Sequence, residues 1–206
     1  MFLSRLTLPL QDRRVQRALQ DPYRLHQALL AAFPPDAPGG GGRVLYRIEP
    51  EQRDATASVL VQSALAPDWH RASFAAKLPA ARAEGPKELS VGLRPGQRIR
   101  FRLRANPTRK KDGKRLAVLG EEAQLAWLRR KLTSGGMTVV AVRRHDEGML
   151  RAMRSASGDG APMTFVSVLY EGLAIVEDAA RAIACAKEGV GSAKAFGFGL
   201  LSLTRA

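Results

Sequence analysis

The sequence is poor in the residues that cross-link small proteins or bind metals. It has one cysteine, Cys185, and three histidines among 206 residues. A single cysteine excludes an internal disulfide, so we expect Cys185 to be a small packed side chain in a reducing compartment. The histidines His26, His70 and His145 have no ligand spacing with one another or with Cys185. A structural zinc site is therefore not expected, and we expect His70 and His145 to lie on the surface.

Long apolar segments are also lacking. No run approaches the ~20 apolar residues that are needed to span a bilayer. The apolar start, MFLSRLTLPL, is short, contains Arg5 and has no small-residue cleavage site, so we expect a strand there and not a signal peptide. The sequence contains no basic amphipathic helix with a large apolar face, so we do not favour a membrane surface as the partner. We expect a cytoplasmic protein.

Acidic residues are scarce relative to basic ones. The chain has 19 Asp and Glu against 33 Lys and Arg, a net charge of +14. Such a surplus favours a polyanionic partner, with nucleic acid as the first candidate. Arginine dominates the cations, which reflects either genomic base composition or a need for planar guanidinium groups on phosphates and guanine edges. Composition alone leaves both explanations open.

One order of elements occurs twice along the chain. The first half predicts a strand at 2–8, a helix at 21–33, strands at 44–49 and 58–64, an amphipathic segment at 69–78 and a strand that ends near 92. The second half repeats the order strand, helix, strand, strand, helix, strand between 98 and 205. We therefore predict an α+β protein of two tandem ferredoxin-like (βαββαβ) domains, 1–92 and 97–206, joined at the Gly/Pro-rich stretch GLRPGQ.

The helix predicted at 21–33 holds the first candidates for chemistry. Asp21 is a strong N-cap residue, and Pro22 suits the first helical position. At ~100° per residue, His26 lies at the edge of the buried stripe, with Tyr23 one turn before it on the same side. On this geometry alone, packing or plain surface exposure is the commoner role for such a histidine, so the pair is a candidate only.

A second candidate is a cationic strand followed by a basic turn. In RIRFRLRANP, at 98–107, apolar residues alternate with arginines, which predicts one buried face and one cationic face. In-phase arginines repel one another unless counterions or a polyanion lie on them. The predicted nucleic-acid contacts here are Arg98, Arg100, Arg102, Arg104, Lys110, Lys111, Lys114 and Arg115. The alternative is a solvated basic face.

The segment GVGSAKAFGFGLLSL, at 189–203, is rich in glycine but has neither the P-loop nor the Rossmann spacing. Glycines let backbone N–H groups approach phosphates closely, so Gly189, Gly191, Ser192 and Lys194 are candidate RNA contacts. The alternative is a glycine helix cap followed by a tight turn into the last strand.

Six stretches together resemble the CasE family, the CRISPR repeat-RNA endoribonucleases of type I-E systems. They are FLSRLTL, DPYRLHQAL, PGQRIRFRLRANP, AWLRRKL, LYEGLAIV and GVGSAKAFGFGLLSL, and they extend from residue 2 to residue 203. The resemblance implies two ferredoxin-like domains of the RAMP type and cleavage of precursor CRISPR RNA at the base of the repeat stem-loop. It also implies that no metal or other cofactor is used, and that the mature crRNA stays bound and enters the Cascade complex.

The resemblance also implies roles for individual residues. Tyr23 and His26 fall on the family's catalytic tyrosine and histidine, and Arg151 and Arg154 resemble the part that contacts the major groove of the stem. Metal-free cleavage uses the 2′-OH as nucleophile and leaves a 2′,3′-cyclic phosphate and a 5′-OH. Histidine suits the proton steps because its ordinary pKa is about 6.5, although the sequence leaves open whether His26 is base or acid. We expect Tyr23 to hold the phosphate or the 2′-OH in line, and Lys194 is a candidate to stabilise the phosphorane.

Two other functions compete with this interpretation. A non-catalytic ferredoxin-like RNA-binding module would share the fold and the charge, but it would not need Tyr23 and His26 together. A metal-dependent nuclease would need clustered carboxylates, and Glu121, Glu122 and Asp178 do not form such a set in the sequence.

Overall fold

The computed structural model describes residues 1–35, 42–49, 54–90, 92–152 and 162–206. They form two compact units. The first contains Met1–Ser90, the described ends of Ala152–Met163, and Ala195–Gly197. The second contains Val91–Arg151, Thr164–Lys194 and Phe198–Ala206. The main division lies near residue 90, next to the predicted junction, and the domain boundaries 1–92 and 97–206 stay a prediction.

The first unit is built on a four-stranded antiparallel sheet with the order β2-β3-β1-β4. Its elements are β1 (Phe2–Pro9), α1 (Arg13–Gln20), α2 (Pro22–Leu30), β2 (Val44–Ile48), β3 (Thr56–Ser63), α3 (Ala72–Lys77) and β4 (Arg82–Glu88). Alternate strand residues such as Leu6, Leu8, Val59 and Val61 form a buried core with Leu25 of α2. This core fixes the face of α2 that points inward and therefore the face that meets solvent.

Two features of the first unit differ from the sequence-based prediction. Helix α1 was not predicted; it starts at Asp12, whose carboxylate accepts hydrogen bonds from the N–H groups of Arg14 and Val15. Helix α2 ends at Leu30 and not at residue 33, and the next three N–H groups bond three residues back instead of four. The chain cannot continue as a regular α-helix beyond this point, because Pro34 disfavours the α conformation of Phe33, the residue before it.

The second unit repeats the sheet with the order β10-β5-β9-β8. Its elements are β5 (Arg98–Ala105), β6 (Thr108–Lys111), β7 (Lys114–Ala117), α4 (Glu121–Ser134), β8 (Met137–Ala152), β9 (Met163–Val176), α5 (Ala179–Glu188) and β10 (Leu201–Arg205). Strands β6 and β7 form a separate hairpin between β5 and α4. Renumbered within each unit, both sheets have the strand order 4-1-3-2, so the predicted tandem ferredoxin-like fold is confirmed.

The predicted alternation of β5 is present in the structure. Ile99, Phe101 and Leu103 are buried in the second core, which also contains Trp127 of α4 and Tyr170 of β9. The last strand, expected from residue 197, begins at Leu201, because Gly197 and Gly199 have positive φ angles that interrupt extended structure. Lys194–Phe196 form one turn of 3-10 helix. No helix in the described ranges is long and apolar enough to cross a membrane.

Candidate active site and nucleic-acid interface

The first turn of α2 is fixed by its N-cap. The carboxylate of Asp21 accepts hydrogen bonds from the N–H groups of Tyr23 at 3.0 Å and Arg24 at 3.4 Å, and Pro22 occupies the first helical position. Tyr23 and His26 are both partly exposed. Since residues three apart on a helix are neighbours, the structure places the two predicted catalytic side chains on one exposed side of α2.

A buried tyrosine supports the His26 ring from below. The imidazole of His26 stacks on Tyr46 of β2, with the ring centroids 6.2 Å apart and the planes inclined by 21°. Tyr46 is fully buried, and its hydroxyl donates a hydrogen bond of 2.6 Å to the carbonyl of Pro22. Tyr46 thus contacts both the His26 ring and the start of the helix that carries it, which limits the orientations available to His26.

Two residues of the glycine-rich segment, Phe196 and Gly197, lie beside Tyr23 and Tyr46 respectively. The ring of Tyr23 packs against Phe196, with centroids 6.1 Å apart. The next residue, Gly197, has a φ angle of +84°, and a Cβ placed on it would lie 3.0 Å from Cε2 of Tyr46. A side chain at this position would press on the ring that supports His26. Glycine is therefore required here both for the backbone conformation and for space.

Burial controls the charge of His26. It lowers the pKa of the imidazole below its ordinary value of 6.5 because the charged form loses hydration. The Nδ1 atom is buried and has no hydrogen-bond partner among the described residues. The ring is therefore predominantly neutral at neutral pH.

Tyr46, Phe196 and Gly197 were not predicted from the sequence to be part of this site. The alternation of VLYRIE shows that Tyr46 shares a strand face with Val44 and Ile48, but not that this face supports His26. The contact between Tyr23 and Phe196 joins residues far apart in the chain. No local pattern could reveal it.

Half of the arginine face on β5 is neutralised within the protein. Arg102 forms an ion pair with Glu171 at 2.6 Å, and Arg104 donates a hydrogen bond of 2.7 Å to Glu147, which also accepts one from Ser167. For Arg102 and Arg104, the counterions that relieve the repulsion are thus carboxylates of the protein itself. Their assignment to RNA stays a prediction, as does that of the exposed Arg98 and Arg100.

The basic turn is a hairpin with like charges opposite one another. Lys110 pairs with Arg115 across β6 and β7, and Lys111 pairs with Lys114. Asp112 and Gly113, with φ angles of +50° and +73°, form the turn, as hairpins of this type require. Directly opposed cations destabilise a hairpin in isolation. All four are exposed, so an anionic ligand would relieve this repulsion.

The candidates in the glycine-rich loop have structural partners in the second unit. Gly189 ends α5, and the Oγ of Ser192, which is 8% exposed, lies within hydrogen-bond distance of Asn106 and Thr108. The Nζ of Lys194 donates to the carbonyl of Glu188 at 2.8 Å. These contacts agree with the alternative interpretation, in which a glycine caps α5 and hydrogen bonds hold the following loop in place. The proposed contact of Lys194 with the phosphorane stays a prediction.

The other predicted residues are scattered. Arg151 is exposed at the end of β8, and Arg154 lies outside the described residues. His70 and His145 are exposed, as expected, whereas Cys185 packs partly buried against the second core, where burial raises the pKa of its thiol. In the described part of the chain, no group of three His, Cys, Asp or Glu side chains is arranged to hold a metal ion.

The fold and the site together define a class: tandem ferredoxin-like proteins with a helix-borne histidine and tyrosine and a strongly basic hairpin. The CRISPR associated protein family matches residues 1–205. The CRISPR-associated endoribonuclease Cse3 of Thermus thermophilus is 36% identical over 215 residues, which cover 98% of this chain and 99% of that protein. The Cascade subunit CasE of Escherichia coli is 31% identical over 198 residues, covering 89% and 92%.

A solved structure agrees with these matches. Thermus thermophilus Cse3, bound to an RNA that represents a pre-cleavage complex, superposes with a TM-score of 0.87 at 34% identity and covers 98% of both chains. This chain belongs to the CRISPR-associated protein family that includes Cse3 and CasE. The family predicted from the sequence is confirmed.

Proposed function

We propose that this protein is an endoribonuclease that cuts precursor CRISPR RNA at the base of the repeat stem-loop, retains the mature crRNA and delivers it to a Cascade complex in the cytoplasm. The names of its relatives support the activity, the RNA substrate and the assembly. The observation that carries the proposal is the partly exposed His26, stacked on the buried Tyr46, with Nδ1 turned inward.

The reaction needs one proton removed and one supplied. The 2′-oxygen attacks the adjacent phosphorus as its proton leaves, and the bond from phosphorus to the 5′-oxygen breaks. The 5′-oxygen then takes a proton from solvent water, so the products are a 2′,3′-cyclic phosphate and a 5′-OH. General acid–base assistance at such a step contributes about 10²–10⁴ in rate.

His26 enters this reaction as the base. Because burial lowers its pKa, the neutral ring predominates at neutral pH, and only the neutral ring can accept the 2′-OH proton at Nε2. The opposite role would require the imidazolium at the start, which burial disfavours. Tyr23, whose ring packs against Phe196, is the candidate to position the phosphate or the 2′-OH. Lys194 is the candidate to stabilise the phosphorane.

The test is cleavage of an end-labelled repeat hairpin by the purified protein in excess EDTA. We expect one defined cut, blocked by a 2′-deoxy substitution at the scissile nucleotide, and a single-turnover rate about 10²–10⁴ lower for His26→Ala. His70→Ala, a change at an exposed histidine of the same unit, is the matched control and should cleave normally. Undiminished cleavage by His26→Ala would refute the assignment, and intact RNA held tightly by the wild type would identify a binding module.

A pH profile tests the base assignment separately. The logarithm of the single-turnover rate should fall as the pH drops through the pKa of His26, since protonation removes the acceptor lone pair. A rate that instead falls as the pH rises through the same value would show that His26 donates the proton.

A further inference from the structure

The second unit contains a cavity of about 600 Å³ whose wall is rich in cations. Six basic side chains from three parts of the fold line it: Arg109, Lys110, Arg115, Arg130, Lys131 and Lys194. No aspartate or glutamate is among the described residues that line it. A concave surface with charges of one sign concentrates the electrostatic potential and attracts ions of the opposite sign.

Trp127 sets the geometry of this cavity. Its indole N–H donates to the carbonyl of Thr108 at 3.1 Å and so ties α4 to the start of the basic hairpin. A Cβ on Gly191, whose φ angle is +84°, would lie 3.1 Å from the same indole. Arg130 and Lys131 follow Trp127 by three and four residues, so they leave α4 on the side of the cavity. Arg129, two residues after Trp127, does not line it.

Elsewhere in the same unit, two partly buried arginines are matched by carboxylates. Arg102 and Arg104 on β5 pair with Glu171 and Glu147. The cavity lacks such partners in its wall, and the hairpin that forms one side places Lys110 directly opposite Arg115. A concave wall that brings like charges together and holds no carboxylate among its described lining residues is suited to an anionic ligand.

We propose that this cavity binds phosphates of the RNA backbone and adds affinity that does not depend on base sequence. Trp127 is 1% exposed, so its ring cannot stack on a base, and the exposed groups in the wall are mainly cations. Ammonium and guanidinium groups on long side chains bind phosphates of any nucleotide. This role rests on RNA as the substrate, and it extends the interface to Arg109, Arg130 and Lys131, which were not among the contacts predicted from the sequence.

The test compares two substitutions of neighbouring arginines on one helix. Binding of a non-cleavable 2′-deoxy repeat hairpin is measured from 50 to 300 mM KCl for the wild type, Arg130→Gln and Arg129→Gln. Loss of one phosphate contact should reduce the slope of log K against log salt by about 0.7–0.9. At the lowest salt we expect about tenfold weaker binding for Arg130→Gln, because a lost charge-assisted hydrogen bond has this magnitude. Arg129→Gln, with the same change in net charge, should retain the wild-type slope.

Two further readouts decide what is bound. The Arg130→Gln defect should have the same size for a hairpin of unrelated sequence, and ethylation of individual phosphates should identify one that weakens the wild type but not Arg130→Gln. Equal slopes for Arg129→Gln and Arg130→Gln, or a defect confined to one base sequence, would overturn the proposal. These binding assays do not depend on cleavage. If the wild type failed to cut RNA but Arg130→Gln still bound it weakly, the endonuclease proposal alone would fail.

Discussion

Replacement of Gly197 by alanine tests whether the support beneath His26 controls catalysis. Gly197 has a φ angle of +84°, and an alanine Cβ there would lie 3.0 Å from Cε2 and 3.3 Å from Cζ of Tyr46. The Tyr46 ring is fully buried and its hydroxyl is bonded to the Pro22 carbonyl, so it cannot move away freely. We expect the new methyl group to displace the ring on which His26 stacks.

The expected loss of stability has two parts. A left-handed backbone conformation costs a non-glycine residue roughly 1–2 kcal/mol, and the smaller entropy of the unfolded alanine chain offsets about 0.4–1 kcal/mol of this. Overpacking against a fixed ring adds roughly 1–3 kcal/mol. The sum is about 1–5 kcal/mol, or a decrease in Tm of roughly 2–20 °C at about 2–4 °C per kcal/mol for a chain of this size.

Gly96 provides the matched control. Its φ angle is +78°, but nothing lies within 4 Å of the position that a Cβ would occupy. Gly96→Ala therefore has the backbone cost without the collision, and we expect a loss of only about 1 kcal/mol. Thermal unfolding and single-turnover cleavage of the repeat hairpin are measured for both variants. Gly197→Ala should cleave at least tenfold more slowly than the wild type, and Gly96→Ala should cleave at the wild-type rate.

The reasoning fails if the two alanine variants melt at the same temperature and cleave at the same rate. Equal melting would show that Tyr46 yields to the methyl group at no cost. A stability loss confined to Gly197→Ala with an unchanged cleavage rate would show that the stacking of Tyr46 on His26 does not position the catalytic ring.

Three further predictions concern charge and helix capping. Burial lowers the pKa of His26 in the folded chain, so below about pH 6.5 the unfolded chain binds a proton that the folded chain does not. The Tm of the wild type should therefore fall more steeply between pH 7 and pH 5 than the Tm of His26→Gln. Arg104→Gln should lower the free energy of unfolding by about 1–3 kcal/mol, because Glu147 is left without its cation. In urea unfolding, adding Glu147→Gln to the same chain should recover part of this loss, whereas two additive losses would show that Arg104 and Glu147 do not interact. Asp21→Ala and Asp178→Ala each remove an N-cap worth about 1 kcal/mol, but only the first should slow cleavage, since it frays the turn that carries Tyr23.

Local chemistry explains why much of the fold was predictable. Alternation along 98–105 identified β5 and its buried face, and Asp21 with Pro22 identified the start of α2. Both signals reside in a few adjacent residues, where period and capping preferences determine the outcome. The end of α2 was placed three residues too late because 3-10 turns continue its apolar pattern through Phe33.

Long-range pairing explains what the sequence could not show. The carboxylates that neutralise Arg102 and Arg104 are 69 and 43 residues further along the chain, so the cationic face predicted from β5 had no visible counterions. The stacking of His26 on Tyr46 and the assembly of the cationic cavity depend equally on which elements pack together. Such contacts arise when elements distant in the chain pack together, so the local sequence pattern does not predict them.

Chemistry and affinity depend on different physical properties in this protein, and this makes them separable by experiment. The proposed role of His26 depends on partial burial, an aromatic support and a lowered pKa, all supplied within the first unit. The cationic cavity needs exposed charge with no compensating carboxylate in its wall, and it is contained in the second unit. Substitutions with no shared partners generally act additively. A chain that combines His26→Ala with Arg130→Gln should therefore bind the 2′-deoxy hairpin as weakly as Arg130→Gln alone, and a further loss of affinity would mean that the two sites are coupled.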